Sequence, residues 1–326
     1  MRLMLASDMQ RANEHRYAKA HIDGYIRRYL AGEKDVQDAI EQGITLLEEW
    51  RNTEFSYASK NVRMQQIQNM DLRSLVTEIF VASAYAQRAE LFISFTSKLA
   101  GVLKFSDKAD SIKTIAEMVA VLSDTGVYLI TKAHKYASLM VESNIVLTLE
   151  LQRFVEGCVY LPPMLVPPEP LVANRQAMNL TTGPESVILG SHNHHEHDVC
   201  LDVLNQSNEV ALSLNLEFLC KVEESTHKPF ENQDQQSDWE LMRNQSHEMY
   251  KLMAGQGNKF YLKHKWDKRG RKYCAGYHIS YQSSPYKKAC LELHHKEKVT
   301  GVPEHLRITC VGKHLPLQGN QDENLL

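Results

Sequence analysis

From the N-terminus to about residue 155, apolar residues recur at spacings of three and four with almost no proline, which predicts helix after helix. Leu72, Leu75, Val76, Ile79 and Phe80 form one such stripe, and Ile112, Ile115, Val119 and Leu122 form another. The second is predicted to begin at a cap on Asp110 or Ser111 and to stop at Asp124, Thr125 and Gly126. Stripes of this kind are the core faces of packed helices.

The pattern breaks at residues 161–170, where five prolines fix φ and remove backbone donors, so neither helix nor central strand is possible. A rigid extended connector is predicted there. Residues 179–197 then combine a turn signal at Thr181, Thr182, Gly183 and Pro184 with the apolar run Val187, Ile188, Leu189 and then Gly190, which predicts a short hairpin. Helical spacing returns at Val203, Ser207, Val210 and Leu214, and again over residues 239–253. Residues 258–293 differ in kind, alternating aromatic and basic positions as strand and loop around a site do.

Composition narrows the function only locally. The chain has 326 residues, 43% of them hydrophobic, enough for two cores or one large one, and a formal net charge of -3. Whole-chain charge therefore gives nucleic-acid binding no support, and any such role must sit in a patch. The six cysteines form no C-x-x-C pair, which predicts reduced thiols. An acidic residue at Asp8 and no later apolar run of membrane length predict neither export nor insertion, so no membrane partner is expected.

The patch lies between Lys259 and Lys272. Lys259, Lys263, Lys265, Lys268, Arg269, Arg271 and Lys272 are opposed there only by Asp267, with Phe260, Tyr261, Trp266 and Tyr273 interleaved. Cations neutralise phosphates and planar rings stack on bases, yet a solvated strand edge defended by lysines fits the charge equally well. The block Asp267-Lys268-Arg269-Gly270-Arg271 adds two arginines flanking a glycine, a position where backbone can approach phosphate closely, and Asp267 four residues before Arg271 can orient its guanidinium.

With its flanks this block resembles the single-subunit RNA polymerases of phages and mitochondria, whose D-x-x-G-R motif is followed by an aromatic and, some twenty residues on, by a basic residue opening an apolar helix. Asp267, Gly270, Arg271, Tyr273 and the run Lys287-Lys288-Ala289-Cys290-Leu291 match that pattern. Residues 109–125 are similar to a helix of the family's N-terminal domain, residues 162–170 to its proline-rich connector, and residues 198–219 to a helix leading toward the thumb. The likeness spans residues 100–295 in order.

The resemblance implies a mainly α protein: a helical N-terminal domain (1–158), a connector with a promoter-melting hairpin (159–197), helices leading to a reduced thumb (198–256), the hybrid-binding segment that begins the palm (257–300) and a tail (301–326). It implies that Asp267, Arg269, Gly270, Arg271 and Tyr273 hold template and RNA–DNA hybrid, that Lys287 or Lys288 holds template phosphate, and that Val187, Ile188 and above all Leu189 wedge into melted promoter. An ordinary packed strand is the alternative for that run. The family's metal-binding aspartates follow the motif, and only residues 296–326 remain here, so the expectation is a split enzyme. This chain would be the small subunit, inactive alone. Mg2+ would be held mainly by a large palm and fingers subunit, with DNA template, RNA product and accessory promoter-recruitment or single-stranded-DNA-binding factors as partners, in the cytoplasm of an infected bacterial host. Leu291, Leu293 and Val299 are the expected subunit interface.

One feature stands outside that picture. His192, His194, His195, Glu196 and His197, with Asp198 and Cys200 close by, could bind zinc or another transition metal, or form a solvated loop tip that touches phosphate when protonated. Two rival functions accompany the polymerase reading: a non-enzymatic basic-patch nucleic-acid-binding factor, and a metal-dependent hydrolase built on these histidines.

Overall fold

The computed structural model describes residues 5–132, 138–157, 160–190, 193–226 and 229–296, and these are mainly α. Helices α1 (Ala6–Tyr17), α2 (Lys19–Gly32), α3 (Lys34–Asn52), α4 (Ala58–Ile67) and α5 (Leu72–Ser83) come first. Strand β1 (Glu90–Leu91), α6 (Phe92–Leu99) and α7 (Lys108–Leu122) follow, then β2 (Tyr128–Lys132), β3 (Leu139–Ser143) and α8 (Leu149–Gly157). All five residues of the first predicted stripe are buried, as are Ile115, Val119 and Leu122 of the second. They join one apolar core drawn from residues 22–155. Gly43 on α3 lets that helix approach α5 and α7, since a Cβ there would lie 2.9 Å from Leu122 and 3.1 Å from Val76.

Three details depart from the periodicity. Helix α7 is capped by Asp107, whose carboxylate accepts the N–H groups of Ala109 and Asp110, so Asp110 and Ser111 sit inside the first turn. The expected stop is there, with Gly126 at φ 73°. Beyond it the chain is not helical: β2 and β3 pair antiparallel with β1 on the far side of β3, because Tyr128 and Ile130 alternate with exposed neighbours and Tyr128 is fully buried. The expected helix over residues 198–219 is also interrupted.

The second half is built round an extended path. Strands β4 (Arg175–Gln176) and β5 (Glu185–Ser186) form a minimal hairpin; α9 (Asp202–Asn208), β6 (Leu212–Leu214), α10 (Leu216–Lys221) and the long α11 (Gln233–Gly255) follow. Strands β7 (His264–Trp266) and β8 (Lys272–Cys274), α12 (Pro285–Ala289) and β9 (Leu291–Leu293) complete the described chain. Helix α11 ends on left-handed Gly257 and Asn258, and the Asn258 amide then clamps Leu214 on both its N–H and its carbonyl at 2.9 Å. From there residues 260–266 gather other segments in turn. Phe260 bridges Leu212, Tyr261 bridges Met164 of the proline connector, and Trp266 bridges Ile188. Two smaller cores lie on this path, one around Phe260, Tyr250 and Met253, the other around Leu171, Val187 and Leu204.

Helix α1 fastens the two halves together. The Glu14 carboxylate, fully buried, accepts from Leu180 N–H at 2.9 Å, from Thr181 N–H at 2.7 Å, from the Thr181 hydroxyl at 2.6 Å and from Gln10 at 2.7 Å. Burial raises its pKa, but these donors prevail and hold it below the ordinary carboxylate value. Asn13 and Gln256 exchange amide hydrogen bonds beside it. Among the described residues no helix is long and apolar enough to cross a membrane.

Candidate nucleic-acid interface

Strands β7 and β8 pair antiparallel, His264 with Cys274, Lys265 with Tyr273 and Trp266 with Lys272, and residues 267–271 close the hairpin. Asp267 organises that tip. Its backbone N–H donates to Arg271 O at 2.8 Å, and its carboxylate accepts the N–H groups of Arg269 at 2.8 Å and Arg271 at 2.9 Å. Arg271 adds Nε and Nη2, each at 2.7 Å. Gly270 supplies the left-handed position, φ 76°, that lets the chain turn back. The Arg271 N–H, then its guanidinium, hold Asp267 below the usual carboxylate range, and the carboxylate in turn raises Arg271.

The seven cations of the basic segment divide by strand alternation. Lys263 and Lys265 reach inward to one carboxylate, Glu185, at 3.0 and 2.5 Å, and Lys263 also donates to Asn179. Burial raises Glu185, yet the two ammonium groups win and its pKa is lowered. Lys272 donates to the Ser207 hydroxyl at 2.6 Å, and Lys259 is half-buried. That leaves Lys268, Arg269 and Arg271 exposed together at the tip. The aromatics divide likewise: Phe260 is core, the Trp266 indole donates to Cys200 O at 3.1 Å, and Tyr273 lies under Arg271 at 5.5 Å.

Lys287 and Lys288 separate. Lys288 faces solvent, whereas Lys287 is 6% exposed and donates inward to Tyr277 O at 3.0 Å, so as placed it cannot meet template phosphate; burial lowers its pKa. The hairpin expected over residues 179–197 exists in its turn, which joins β4 to β5, but the apolar run is not at its tip. Val187 and Ile188 pack into the core around Leu204, and Leu189 is half-buried with its N–H bonded to Trp266 O at 2.7 Å. The run continues β5 onto the basic hairpin because its β-branched side chains fit that buried edge. At the expected interface Leu293 is exposed and Leu291 half-buried, and Val299 lies outside the described residues.

The histidine loop and the basic hairpin share one cleft of about 530 Å³, lined by His194, His195 and Asp198 on one side and Trp266, Asp267 and Lys268 on the other. Asn174 holds the loop by donating to the carbonyls of His195 and His197. His192 lies outside the described residues. Among the described residues no three His, Cys, Asp or Glu side chains converge as metal ligands.

Sequence reasoning missed the groups that support the hairpin from behind. Asn208 Oδ1 accepts both the His264 backbone N–H and Nδ1–H at 2.9 Å, and His264 Nε2 accepts the Tyr281 hydroxyl at 2.6 Å. Burial, then Lys272, push His264 down to about 4. Glu185 could have been suspected, as a carboxylate in the turn region opposite a lysine-rich strand; Asn208 left no signal. No protein-family model matches the chain, and no curated protein matches it either.

Proposed function

We propose that this chain is a nucleic-acid-holding subunit of a DNA-directed RNA polymerase of the phage type. It positions template and RNA–DNA hybrid for nucleotidyl transfer carried out on a palm and fingers chain. The observation that carries this reading is the Asp267-centred hairpin. One carboxylate fixes the turn and the Arg271 fork, while Lys268, Arg269 and Arg271 project into solvent on a rigid two-stranded stem. That is a device for meeting backbone phosphates at set positions, through charge-assisted forks rather than proton transfer. In this proposal residues 1–158 are the helical N-terminal domain, α11 leads to a reduced thumb and β7–β8 begins the palm.

The described residues of this chain assemble no metal-ligand group, so the proposal routes no step through Mg2+ here and assigns it to the partner. The test is nucleotide incorporation on single-stranded template by the purified chain alone and after combination with a co-purifying chain that carries palm aspartates. Activity only in combination, lost in Arg271→Ala without subunit separation, is expected. Normal extension by the Arg271→Ala assembly overturns the role of the hairpin, and binding of DNA with no polymerase partner favours a non-enzymatic factor.

A further inference from the structure

The largest of the clefts lies away from the basic hairpin, between the start of α11 and the segment leading into α12. It encloses about 760 Å³, a volume suited to a mononucleotide. Trp239 and Phe230, 5.7 Å apart, form an aromatic wall, with Arg243 over the Trp239 ring at 4.9 Å. Two charged residues line the same cleft, and both are more than nine-tenths buried. Glu224 has a carboxylate oxygen, Oε2, with no hydrogen-bond partner among the described residues. Lys287 spends one of its three N–H donors on Tyr277 O.

A buried carboxylate oxygen without a donor is costly, and the molecule that satisfies it must bring N–H groups. A buried ammonium with donors to spare asks the same ligand for an acceptor. We infer that this cleft binds guanine, as a free nucleotide or as an unstacked base of a single strand. The Watson–Crick edge of guanine carries two adjacent donors, N1–H and the 2-amino group, beside the O6 acceptor. Glu224 matches the donors, Lys287 matches O6, and the aromatic wall takes the ring face. Adenine offers one amino donor beside a ring acceptor and cannot give a carboxylate two adjacent N–H groups. The inference does not rest on the hairpin reading, because it uses none of the residues 267–271.

The test is equilibrium dialysis of the full chain against GMP, IMP, AMP, CMP and UMP. GMP is expected to bind about tenfold or more tighter than the other four, IMP included because it lacks the 2-amino donor. Glu224→Gln should erase the preference, and Trp239→Leu should weaken all nucleotides together. Arg271→Ala should leave GMP binding unchanged, which separates this site from the hairpin. Competition by an oligothymidylate bearing one dG, but not by plain oligothymidylate, identifies the strand-held base; competition by neither identifies the free nucleotide. Equal binding of GMP and IMP, or a guanine preference that survives Glu224→Gln, overturns the inference, and the first comparison needs no variant to fold.

Discussion

Arg271 gives Asp267 its backbone N–H as well as two guanidinium nitrogens, so a single carboxylate fixes both the path of the turn and the direction of the fork. Charge counting and geometry therefore make opposite predictions for Asp267→Ala. Removing a negative charge from a cationic tip should strengthen binding to a polyanion. Removing the acceptor that orders Arg269 and Arg271 should weaken it. We expect geometry to win, with affinity for a short RNA–DNA hybrid falling several-fold in fluorescence anisotropy. Tighter binding by the variant would show that Asp267 is only a tolerated charge.

The three exposed tip cations set the salt dependence. Each phosphate contact removed should lower the slope of log affinity against log salt by roughly 0.7 to 0.9. Arg269→Ala and Lys288→Ala should each show that loss, whereas Lys287→Met should leave the slope untouched because Lys287 is turned inward. A slope that falls equally in Lys287→Met would mean that Lys287 leaves the interior when nucleic acid binds.

Glu185 joins β5 to β7 through Lys263 and Lys265, whose side chains are only 11% and 14% exposed. Glu185→Ala leaves two ammonium groups in a site without a counter-charge, and a cost of about 3 kcal/mol is expected in urea unfolding. The folded pKa of Glu185 is depressed, so its contribution is present above the ordinary carboxylate value and is lost as pH falls through the folded value. The destabilisation by Glu185→Ala should therefore shrink in acid. A constant difference at every pH would assign the effect to packing.

What the sequence made legible follows from where each signal is local. The stripe from Leu72 to Phe80 is a property of one helix, and the pattern declares it. The connector declares itself through proline. The Asp267 to Arg271 turn is also local, four residues wide, and spacing alone suggested that one could orient the other. Partnerships across long separations were invisible: Glu185 with Lys263, Asn208 with His264, and Glu14 with Thr181 depend on how segments cross. The inward turn of Lys287 is invisible for the same reason, because adjacent lysines on a short helix look alike until one meets Tyr277 O. The strands β2 and β3 were misread because Tyr128, Ile130 and Val141 are apolar at spacings that a helix could also use in part.

Glu14 is the fastening of the helical half to the turn at residues 180–181, and three donors from that turn converge on it. Glu14→Ala strands two backbone N–H groups in a buried site, and a loss of about 3 kcal/mol is expected. Because the loss falls between the halves, limited proteolysis near residues 181–184 should accelerate before global unfolding does. An unchanged cleavage rate would mean that Asn13 and Gln256 hold the contact unaided.

Acid should loosen the second half before carboxylates titrate. His264 and His278 are buried, and both are pushed from an ordinary 6.5 down to about 4, by burial first and by Lys272 and Lys287 respectively. In the unfolded chain each takes up a proton as pH falls below about 6.5, while in the folded chain it stays neutral until about 4. The unfolded state binds more protons throughout that window, so stability must fall with pH across it. Between pH 7 and 5 the loss should be roughly 2 kcal/mol per histidine. His264 can stay neutral because Asn208 takes its Nδ1 proton and Tyr281 donates to Nε2, and His278 because its Nδ1 is bonded to the Ser246 hydroxyl at 2.9 Å. Replacement of either by Gln, which keeps polar groups and cannot titrate, should remove its share of the slope while lowering stability at pH 7. Urea midpoints at pH 7, 6 and 5 measure this directly, and midpoints that do not move over that range would show that these imidazoles accept protons without leaving their sites.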